Sequence, residues 1–234
     1  MKTIIFDVDD TLYDQSLSFH HTFRKIIASY YSYDELDQIY RRSREYSEIL
    51  FDKSEAGEIS IYEWQTGRII KACQDFNIVI TEAQAASFHQ QYKREQAKIQ
   101  LFPEMEQLLT YLKDSGKQMA ILTNGDTEHQ TMKIKQLGLE QWIPADHIFI
   151  SGSYGVAKPK LEIFQVVEQA LGCHPDDTVY IGDSFEKDIE GAKHVGWKAI
   201  WMNHRKRTVS NTVYEADQEI HHASELLAHF QVAR

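Results

Sequence analysis

Short apolar runs alternate with helical patterns along much of the chain. Runs rich in apolar and β-branched residues, each of a length typical of a buried strand, lie at 2–7, 118–122, 147–150, 178–181 and 198–202. Apolar residues recur at helical spacing between the later runs, at 104–114, 127–137, 161–171 and 185–195. This alternation predicts an α/β fold, a Rossmann-like, doubly wound parallel sheet that binds ligands at the carboxyl ends of its strands.

The stretch from residue 16 to about residue 98 has a different pattern, helical throughout and without a convincing strand. Two tetrapeptides, 60–63 and 81–84, match the capping box that begins many helices. About four helices therefore interrupt the α/β pattern directly after its first strand. We expect two domains: an α/β core of residues 1–14 and 100–234, and an inserted helical cap of residues 15–99.

The charge balance narrows the range of partners. A formal net charge of -10 opposes binding to a nucleic-acid polymer or to an anionic membrane surface, because both would be repelled at long range. The first residues form too short an apolar run for a secretory signal, and no stretch has the roughly 20 apolar residues of a membrane span. Cys73 and Cys173 are far apart and have no metal-ligand spacing. We expect a cytoplasmic protein, monomeric or homodimeric, with two reduced thiols.

The first run ends in Asp7-Val8-Asp9-Asp10-Thr11, where the strand gives way to a loop. Asp7 and Asp9 stand at alternate positions and so meet at one edge of the sheet. Two carboxylates repel each other there unless a cation neutralises them, which makes a divalent metal the simplest explanation. Loop acids or helix caps are the alternative interpretation, since acids often stand at strand ends for those reasons.

Later runs are also followed by polar residues that suit an anion or a metal. Thr123 and Asn124 follow the second run and offer a hydroxyl and backbone N–H groups beside a helix start. Lys158 precedes the next helical pattern, and Asp183 and Asp188 follow the fourth run. Taken singly, these residues also fit a turn, a solvated lysine and a helix cap. Together they predict carboxylates, a hydroxyl and a fixed cation at one sheet edge.

Phosphoryl transfer needs this combination of groups. The reaction uses an anionic nucleophile, a metal that shields it, and donors that bind the phosphoryl oxygens. The sequence therefore predicts an enzyme that acts on a small phosphorylated metabolite.

The four motifs, in this order, resemble those of the haloacid dehalogenase superfamily of phosphohydrolases. The resemblance covers about residues 1–14 and 100–234, and residues 15–99 stand where one subgroup carries a helical cap. It implies a magnesium-dependent phosphatase in which Asp7 is the nucleophile, forming an aspartyl-phosphate, and Asp9 is the acid/base group.

The resemblance also implies how the phosphoryl group and the metal are held. Thr123 and Lys158 would bind the phosphoryl group, with Asn124 beside them as a further substrate-binding residue. Magnesium would be bound by Asp7, Asp183 and the backbone carbonyl of Asp9, with Asp188 in support.

Asp10 departs from the commonest form of the first motif, in which glycine is frequent at this position. Aspartate tolerates the left-handed backbone region, so the turn can still form. Members that resemble pyrimidine 5′-nucleotidases often carry a paired acid here, and a nucleoside monophosphate is therefore one substrate to test.

Three alternative functions stay open. They are a phosphotransferase or phosphomutase of the same fold, a 2-haloacid dehalogenase, and a non-catalytic binding protein. Asp9 argues against the dehalogenase, because that reaction has no leaving-group oxygen to protonate. Retention of all four motifs argues against a non-catalytic protein.

Two further groups of side chains are expected to have structural rather than chemical roles. The histidine pairs His20-His21 and His221-His222 are expected at the surface, since adjacent helical residues point in different directions and form no chelate. The aromatic residues of the helical stretch are expected mainly in its core: Phe19, Phe23, Tyr46, Trp64 and Tyr92.

Overall fold

The computed structural model describes residues 1–210 and 212–232, and its centre is a six-stranded parallel sheet. The strands are β1 (Thr3–Phe6), β2 (Gln118–Thr123), β3 (Ile148–Ile150), β4 (Thr178–Gly182), β5 (Lys198–Met202) and β6 (Gln218–Ile220). Their spatial order is β3-β2-β1-β4-β5-β6, so the order reverses at β1. In sheets of this kind, ligands bind at the carboxyl ends of the strands where the order reverses.

Helices connect the strands and form the insertion. Between β1 and β2 lie α1 (Ser16–Ile26), α2 (Tyr33–Glu55), α3 (Ile61–Asp75), α4 (Glu82–Gln96) and α5 (Pro103–Asp114). The later helices are α6 (Thr127–Gln136), α7 (Leu161–Leu171), α8 (Glu190–His194) and α9 (Ala223–Val232). These elements confirm the predicted α/β class, a Rossmann-like parallel sheet with a helical insertion.

The chain divides into two compact units. The core unit consists of Met1–Asp14 and Gln100–Arg234, and the helical unit of Gln15–Ile99. Within the described ranges of both units, no helix combines the length and the apolar character needed to cross a bilayer.

Each unit has its own hydrophobic core. In the core unit, Ile5, Ala120 and Tyr180 of the central strands pack with side chains of α7 and with Trp197. All four residues of β1 are buried, because the strand pairs on one side with β2 and on the other with β4. The first strand is thereby fixed in place, and so is the acidic loop that follows it.

The core of the helical unit is largely aromatic. It includes Phe19, Phe23, Phe88 and Tyr92, with edge-to-face contacts such as that between Phe19 and Phe88 at 5.2 Å between ring centroids. The expectation that Phe19, Phe23 and Tyr92 are core residues is confirmed. Both predicted capping boxes are present, at the starts of α3 and α4.

Three details differ from the sequence-based expectations. β6 and α9 were not predicted. β6 has three residues and only Ile220 among them is buried, which is too little for an alternation to show. The helix expected at 185–195 begins as a π-helical turn, Phe185–Ile189, before α8. His20 is fully buried, packed edge-on against the Tyr33 ring at 4.7 Å between centroids, so its expected surface position was wrong.

Candidate active site

The predicted site residues of the core unit lie at the carboxyl edge of the sheet. Asp7 directly follows β1, and its backbone N–H donates to the carbonyl of Ile181 at 2.9 Å. In the register of the sheet, Phe6 is level with Ile121 of β2 and Ile181 of β4. Thr123 and Asp183, each two residues further along, therefore leave their strands beside Asp7.

Lys158 is the electrostatic centre of this edge. Its ammonium donates to Asp7 Oδ1 at 2.8 Å, to Asp188 Oδ1 at 2.7 Å and to the Tyr180 hydroxyl at 2.6 Å. A fourth contact, 3.0 Å long, reaches the carbonyl of Leu122. Lys158, Asp7 and Asp188 are all buried, so this is a desolvated ion network in which each charge depends on the others.

Burial and neighbouring charges shift the pKa values of both Lys158 and Asp7. Burial alone would lower the pKa of Lys158, but the Asp188 and Asp7 carboxylates outweigh it and raise that pKa, so the lysine stays charged. Burial raises the pKa of Asp7; Lys158 opposes this, Asp188 and Asp9 reinforce it, and the result is a pKa of about 7. Asp7 would be more fully ionised with a further cation beside it.

The acids at this edge fit a divalent cation. One oxygen each from Asp7, Asp183 and Asp188 lie within 4.8 Å of one another. Burial, followed by repulsion from Asp10, Asp188 and Asp7, raises the pKa of Asp183 well above its ordinary range. Hard carboxylate oxygens gathered in this way are the ligands that magnesium prefers, and a bound cation would relieve their mutual repulsion.

Asp188 is held in place by the turn that follows β4. The Ser184 backbone N–H donates to Asp188 Oδ2 at 2.9 Å, while Lys158 binds the other oxygen. At Gly182 a Cβ atom would collide with the Asp188 carboxylate. Glycine at this position therefore lets the carboxylate lie against the strand end.

Asn124 and Thr123 play different parts at the end of β2. The Asn124 side chain bonds the backbone of Lys158 twice: Nδ2 donates to the carbonyl at 2.9 Å, and Oδ1 accepts from the N–H at 2.9 Å. Its side chain thus positions Lys158, and any direct contact with a substrate is left to its main chain. The Thr123 hydroxyl is buried and has no hydrogen-bond partner among the described residues, which leaves it available to a ligand.

Asp9 points to α6 and is bound there by two side chains. The Lys133 ammonium contacts Asp9 Oδ1 at 2.8 Å and Oδ2 at 2.7 Å. Gln130 Nε2 donates to Asp9 Oδ2 at 2.9 Å and to the carbonyl of Asn124 at 3.0 Å. The Tyr13 hydroxyl donates to Asp9 Oδ1. Gln130 thereby links the first-motif loop to the loop after β2.

These donors keep Asp9 ionised. Burial by itself would raise the pKa of Asp9, but the Lys133 charge and the hydrogen bonds of Lys133, Tyr13 and Gln130 lower it to about 2. Asp9 is therefore a carboxylate at neutral pH in the ligand-free protein. In this form it can accept a proton, whereas it must first gain a proton before it can donate one.

Asp10 has the left-handed backbone expected of it, with φ of 54°. Its carboxylate accepts from Arg205 at 2.6 Å, and the same guanidinium reaches Asp14 at 3.0 Å. The acid that replaces glycine in the first motif thus ties the motif loop to the segment after β5.

Among the residues of this arrangement that the sequence analysis missed are Gln130, Lys133, Tyr180 and Arg205. For two of them a signal existed, because Gln130 and Lys133 are polar residues one turn apart that share the buried face of α6 with Ile134. A lysine on the buried face of an amphipathic helix needs an acidic partner, and the acids of the first motif were candidates for that partner. Tyr180 and Arg205 carried no comparable signal.

Comparisons with known proteins identify the family of this chain and several relatives. The family described as haloacid dehalogenase-like hydrolase matches residues 1–196. A glyceraldehyde 3-phosphate phosphatase of Methanothermobacter thermautotrophicus is 28% identical over 209 residues, which is 87% of this chain and 86% of that protein.

Solved structures show the same fold. YfnB of Bacillus subtilis, described as a HAD-hydrolase bound to magnesium, has a TM-score of 0.71 and 25% identity, covering 99% of both chains. The L-2-haloacid dehalogenase of Xanthobacter autotrophicus has a TM-score of 0.67 and 17% identity over 100% of both chains. The second likeness shows the fold alone, because its sequence identity is low.

Proposed function

Because this chain belongs to the haloacid dehalogenase-like hydrolases, we propose that it is a magnesium-dependent phosphatase that hydrolyses a small phosphate monoester through a phosphorylated Asp7. One observation carries the proposal: Lys158 is bound between Asp7 and Asp188, at the sheet edge where the buried Thr123 hydroxyl has no partner in the described ranges. This arrangement supports the proposal, because Asp7 as nucleophile would have a fixed cation and a hydroxyl donor beside it.

In the first half-reaction, an Asp7 oxygen forms a bond to phosphorus as the bond to the leaving oxygen breaks. Lys158 offsets the repulsion between the Asp7 carboxylate and the phosphoryl anion, and the Thr123 hydroxyl donates to a phosphoryl oxygen. Asp9 gives a proton to the leaving alkoxide. The approach of a phosphoryl anion favours that proton on Asp9, since a neighbouring negative charge raises the pKa of a carboxyl group.

In the second half-reaction, water attacks the phosphorus of the aspartyl-phosphate and the bond to Asp7 breaks. Asp9, now a carboxylate, takes the proton from that water. The donors on α6 stabilise this ionised form, which is also the form in the ligand-free protein.

Magnesium fits the acids of this edge, and Asp7 and Asp183 are the side chains proposed to hold it, with the backbone carbonyl of Asp9 and with Asp188 in support. When bound, it supplies positive charge that shields the nucleophile and the phosphoryl oxygens from each other. Lys158 supplies one positive charge, whereas Asp7, Asp183 and Asp188 together carry more negative charge when they are ionised. A second cation would balance that excess of negative charge.

The named relative acts on glyceraldehyde 3-phosphate, a small phosphate monoester, and we propose a substrate of that general class. A nucleoside monophosphate remains a second candidate, on the strength of the paired acids Asp9 and Asp10. Asp9 also favours phosphate ester cleavage over dehalogenation, since only the ester has a leaving oxygen to protonate.

A screen of phosphorylated metabolites, with magnesium and with excess chelator, tests the proposal. We expect release of inorganic phosphate only when magnesium is present. Adding alcohols and sugar phosphates as acceptors separates hydrolysis from phosphotransfer. Undiminished phosphate release in excess chelator, or phosphate appearing mainly on an acceptor, would overturn the proposed activity.

A further inference from the structure

Tyr180 buries a hydroxyl group at the centre of the core unit. It lies on β4 and is fully buried, and its ring packs against Phe164 at 6.1 Å and against Trp197 at 6.4 Å between centroids. A phenylalanine would fill the same ring space without taking a polar group out of water. Burial of a hydroxyl costs free energy unless new hydrogen bonds replace those to water. Packing alone therefore does not account for the oxygen atom of Tyr180.

The Tyr180 hydroxyl reaches across the first strand. In the pairing of β1 with β4, Tyr180 is level with Ile5. The hydroxyl donates to the carbonyl of Leu122 at 2.7 Å, and Leu122 belongs to β2, on the other side of β1. Phe6, the last residue of β1, is level with Ile121, so Leu122 lies one residue past the end of that pairing. The tyrosine thus supplies a hydrogen bond at the level where β1 has ended.

The proton of this hydroxyl lies towards β2. A phenol has one O–H group, and its contact with Asp188 Oδ1 is the longer one, 3.3 Å against 2.7 Å for the Leu122 carbonyl. The lone pairs of the same oxygen are left to accept from the Lys158 ammonium, at 2.6 Å. Tyr180 therefore stands as a link between the end of β2 and Lys158.

Lys158 and Tyr180 share the Leu122 carbonyl. The Lys158 ammonium is 3.0 Å from that carbonyl, whereas it is 2.8 Å from Asp7 Oδ1 and 2.7 Å from Asp188 Oδ1. With the Tyr180 oxygen, four acceptors surround an ammonium that has three N–H groups. Its longest contact is with the carbonyl to which Tyr180 already donates. The shorter contacts of Lys158 are therefore those with the two carboxylates and the phenol.

We propose that Tyr180 is a positioning residue, whose hydroxyl donates to the Leu122 carbonyl, accepts from Lys158 and so keeps the ammonium beside Asp7 and Asp188. This inference rests on the proposed phosphatase function, in which Lys158 offsets the repulsion between Asp7 and the phosphoryl anion. Without the hydroxyl, the carbonyl would draw the ammonium towards β2 and away from the nucleophile, because a buried carbonyl that lacks a donor is costly.

The Tyr180→Phe variant tests this role, since it removes the hydroxyl and keeps the ring. With nitrophenyl phosphate and magnesium, we expect kcat to fall roughly tenfold or more, because the hydrogen bonds that are lost involve a charged group. KM should change less than about threefold, because Lys158 and Thr123 are both still present to bind the phosphoryl group. A loss confined to kcat indicates a weaker stabilisation of the transition state.

Tyr40→Phe is the matched control. Tyr40 is also buried, and its hydroxyl donates to the Gln15 side chain at 2.8 Å, within the helical unit. Each substitution removes one buried hydroxyl and should lower the urea concentration at the unfolding midpoint. Only Tyr180→Phe should lower kcat. If Tyr180→Phe lost activity only in proportion to its unfolded fraction, the hydroxyl would be structural and the positioning role would be refuted.

A crystal structure of ligand-free Tyr180→Phe measures the position of Lys158 without any need for activity. Compared with the wild type crystallised under the same conditions, we expect Nζ of Lys158 to lie closer to the Leu122 carbonyl and farther from Asp7 Oδ1. An unmoved ammonium, or a folded variant with full kcat, would overturn the positioning role. A displaced ammonium in a protein whose wild type hydrolyses no phosphate ester would instead refute the proposed function, and leave the effect of Tyr180 on Lys158 standing.

Discussion

Replacing Lys133 with methionine removes the charge that faces Asp9 while keeping an unbranched side chain of similar length. The Lys133 side chain is 2% exposed and that of Asp9 is 22% exposed, so Asp9 would keep a largely buried charge without its main partner. Removing one member of a buried ion pair typically costs about 3–5 kcal/mol. The lowering of the Asp9 pKa from 3.8 to about 2 corresponds to about 2 kcal/mol, at roughly 1.4 kcal/mol per unit. We expect a loss of about 2–3 kcal/mol in the free energy of unfolding at neutral pH.

The pH dependence of that loss has a definite sign. The pKa of Asp9 is lower in the folded protein than in the unfolded chain, so its ionised form stabilises the fold above about pH 4. This contribution diminishes as the pH falls from about 4 through 2, and below that pH Asp9 is protonated in both states. The difference in stability between the wild type and Lys133→Met should therefore shrink over that range.

Urea unfolding followed by tryptophan fluorescence measures this effect, since Trp142, Trp197 and Trp201 of the core unit report on it. Lys135→Met is the matched control, because Lys135 is an exposed lysine on the same helix. Asp9→Asn/Lys133→Met should recover much of the lost stability, since neither charge is then left alone, but it should not recover activity. Equal stability of Lys133→Met and Lys135→Met, or a double variant no more stable than Lys133→Met, would refute the buried pair as a source of stability.

Three other changes should have distinct effects. Asp183→Asn should raise the magnesium concentration needed for half-maximal activity, because an amide replaces a charged oxygen ligand; an unchanged magnesium titration would exclude Asp183 as a ligand. Asn124→Ala removes both hydrogen bonds to the Lys158 backbone and should lower kcat by roughly tenfold or more, because a misplaced cation no longer shields the nucleophile; full activity would show that Lys158 is held without it. Asp9→Asn should slow cleavage of alkyl phosphates about 10² to 10⁴-fold and should give a burst of nitrophenol from nitrophenyl phosphate, because nitrophenolate leaves without a proton; equal slowing of both esters without a burst would remove Asp9 from acid catalysis.

The sequence predicted the sheet well, because every strand that carries a motif is an apolar run with a polar residue at its end or directly after it. Thr3–Phe6 before Asp7 and Thr178–Gly182 before Asp183 are examples. β6 was missed because a three-residue edge strand has too few positions to show a pattern.

The contacts between side chains were harder to predict from the sequence than the strands. The pairing of Lys133 with Asp9 joins residues 124 positions apart, and it depends on which face of α6 meets the first-motif loop. Asn124 is predicted to lie beside the substrate, a prediction that stays open. The bonds of its side chain to the Lys158 backbone depend on loop geometry that no local pattern encodes. His20 was placed at the surface by residue type, and its burial follows from the packing of α1 against an aromatic ring.

The most direct test of a phosphorylated Asp7 is to trap it. Wild type and Asp9→Asn would be mixed with nitrophenyl phosphate and magnesium, quenched in acid within the first turnover, and digested for mass spectrometry. We predict one added phosphoryl group on the peptide that contains Asp7, more abundant in Asp9→Asn because its hydrolysis lacks a base, and absent from Asp7→Asn. Phosphate release by the wild type with no phosphorylated Asp7 at any quench time, or undiminished turnover by Asp7→Asn, would contradict the mechanism.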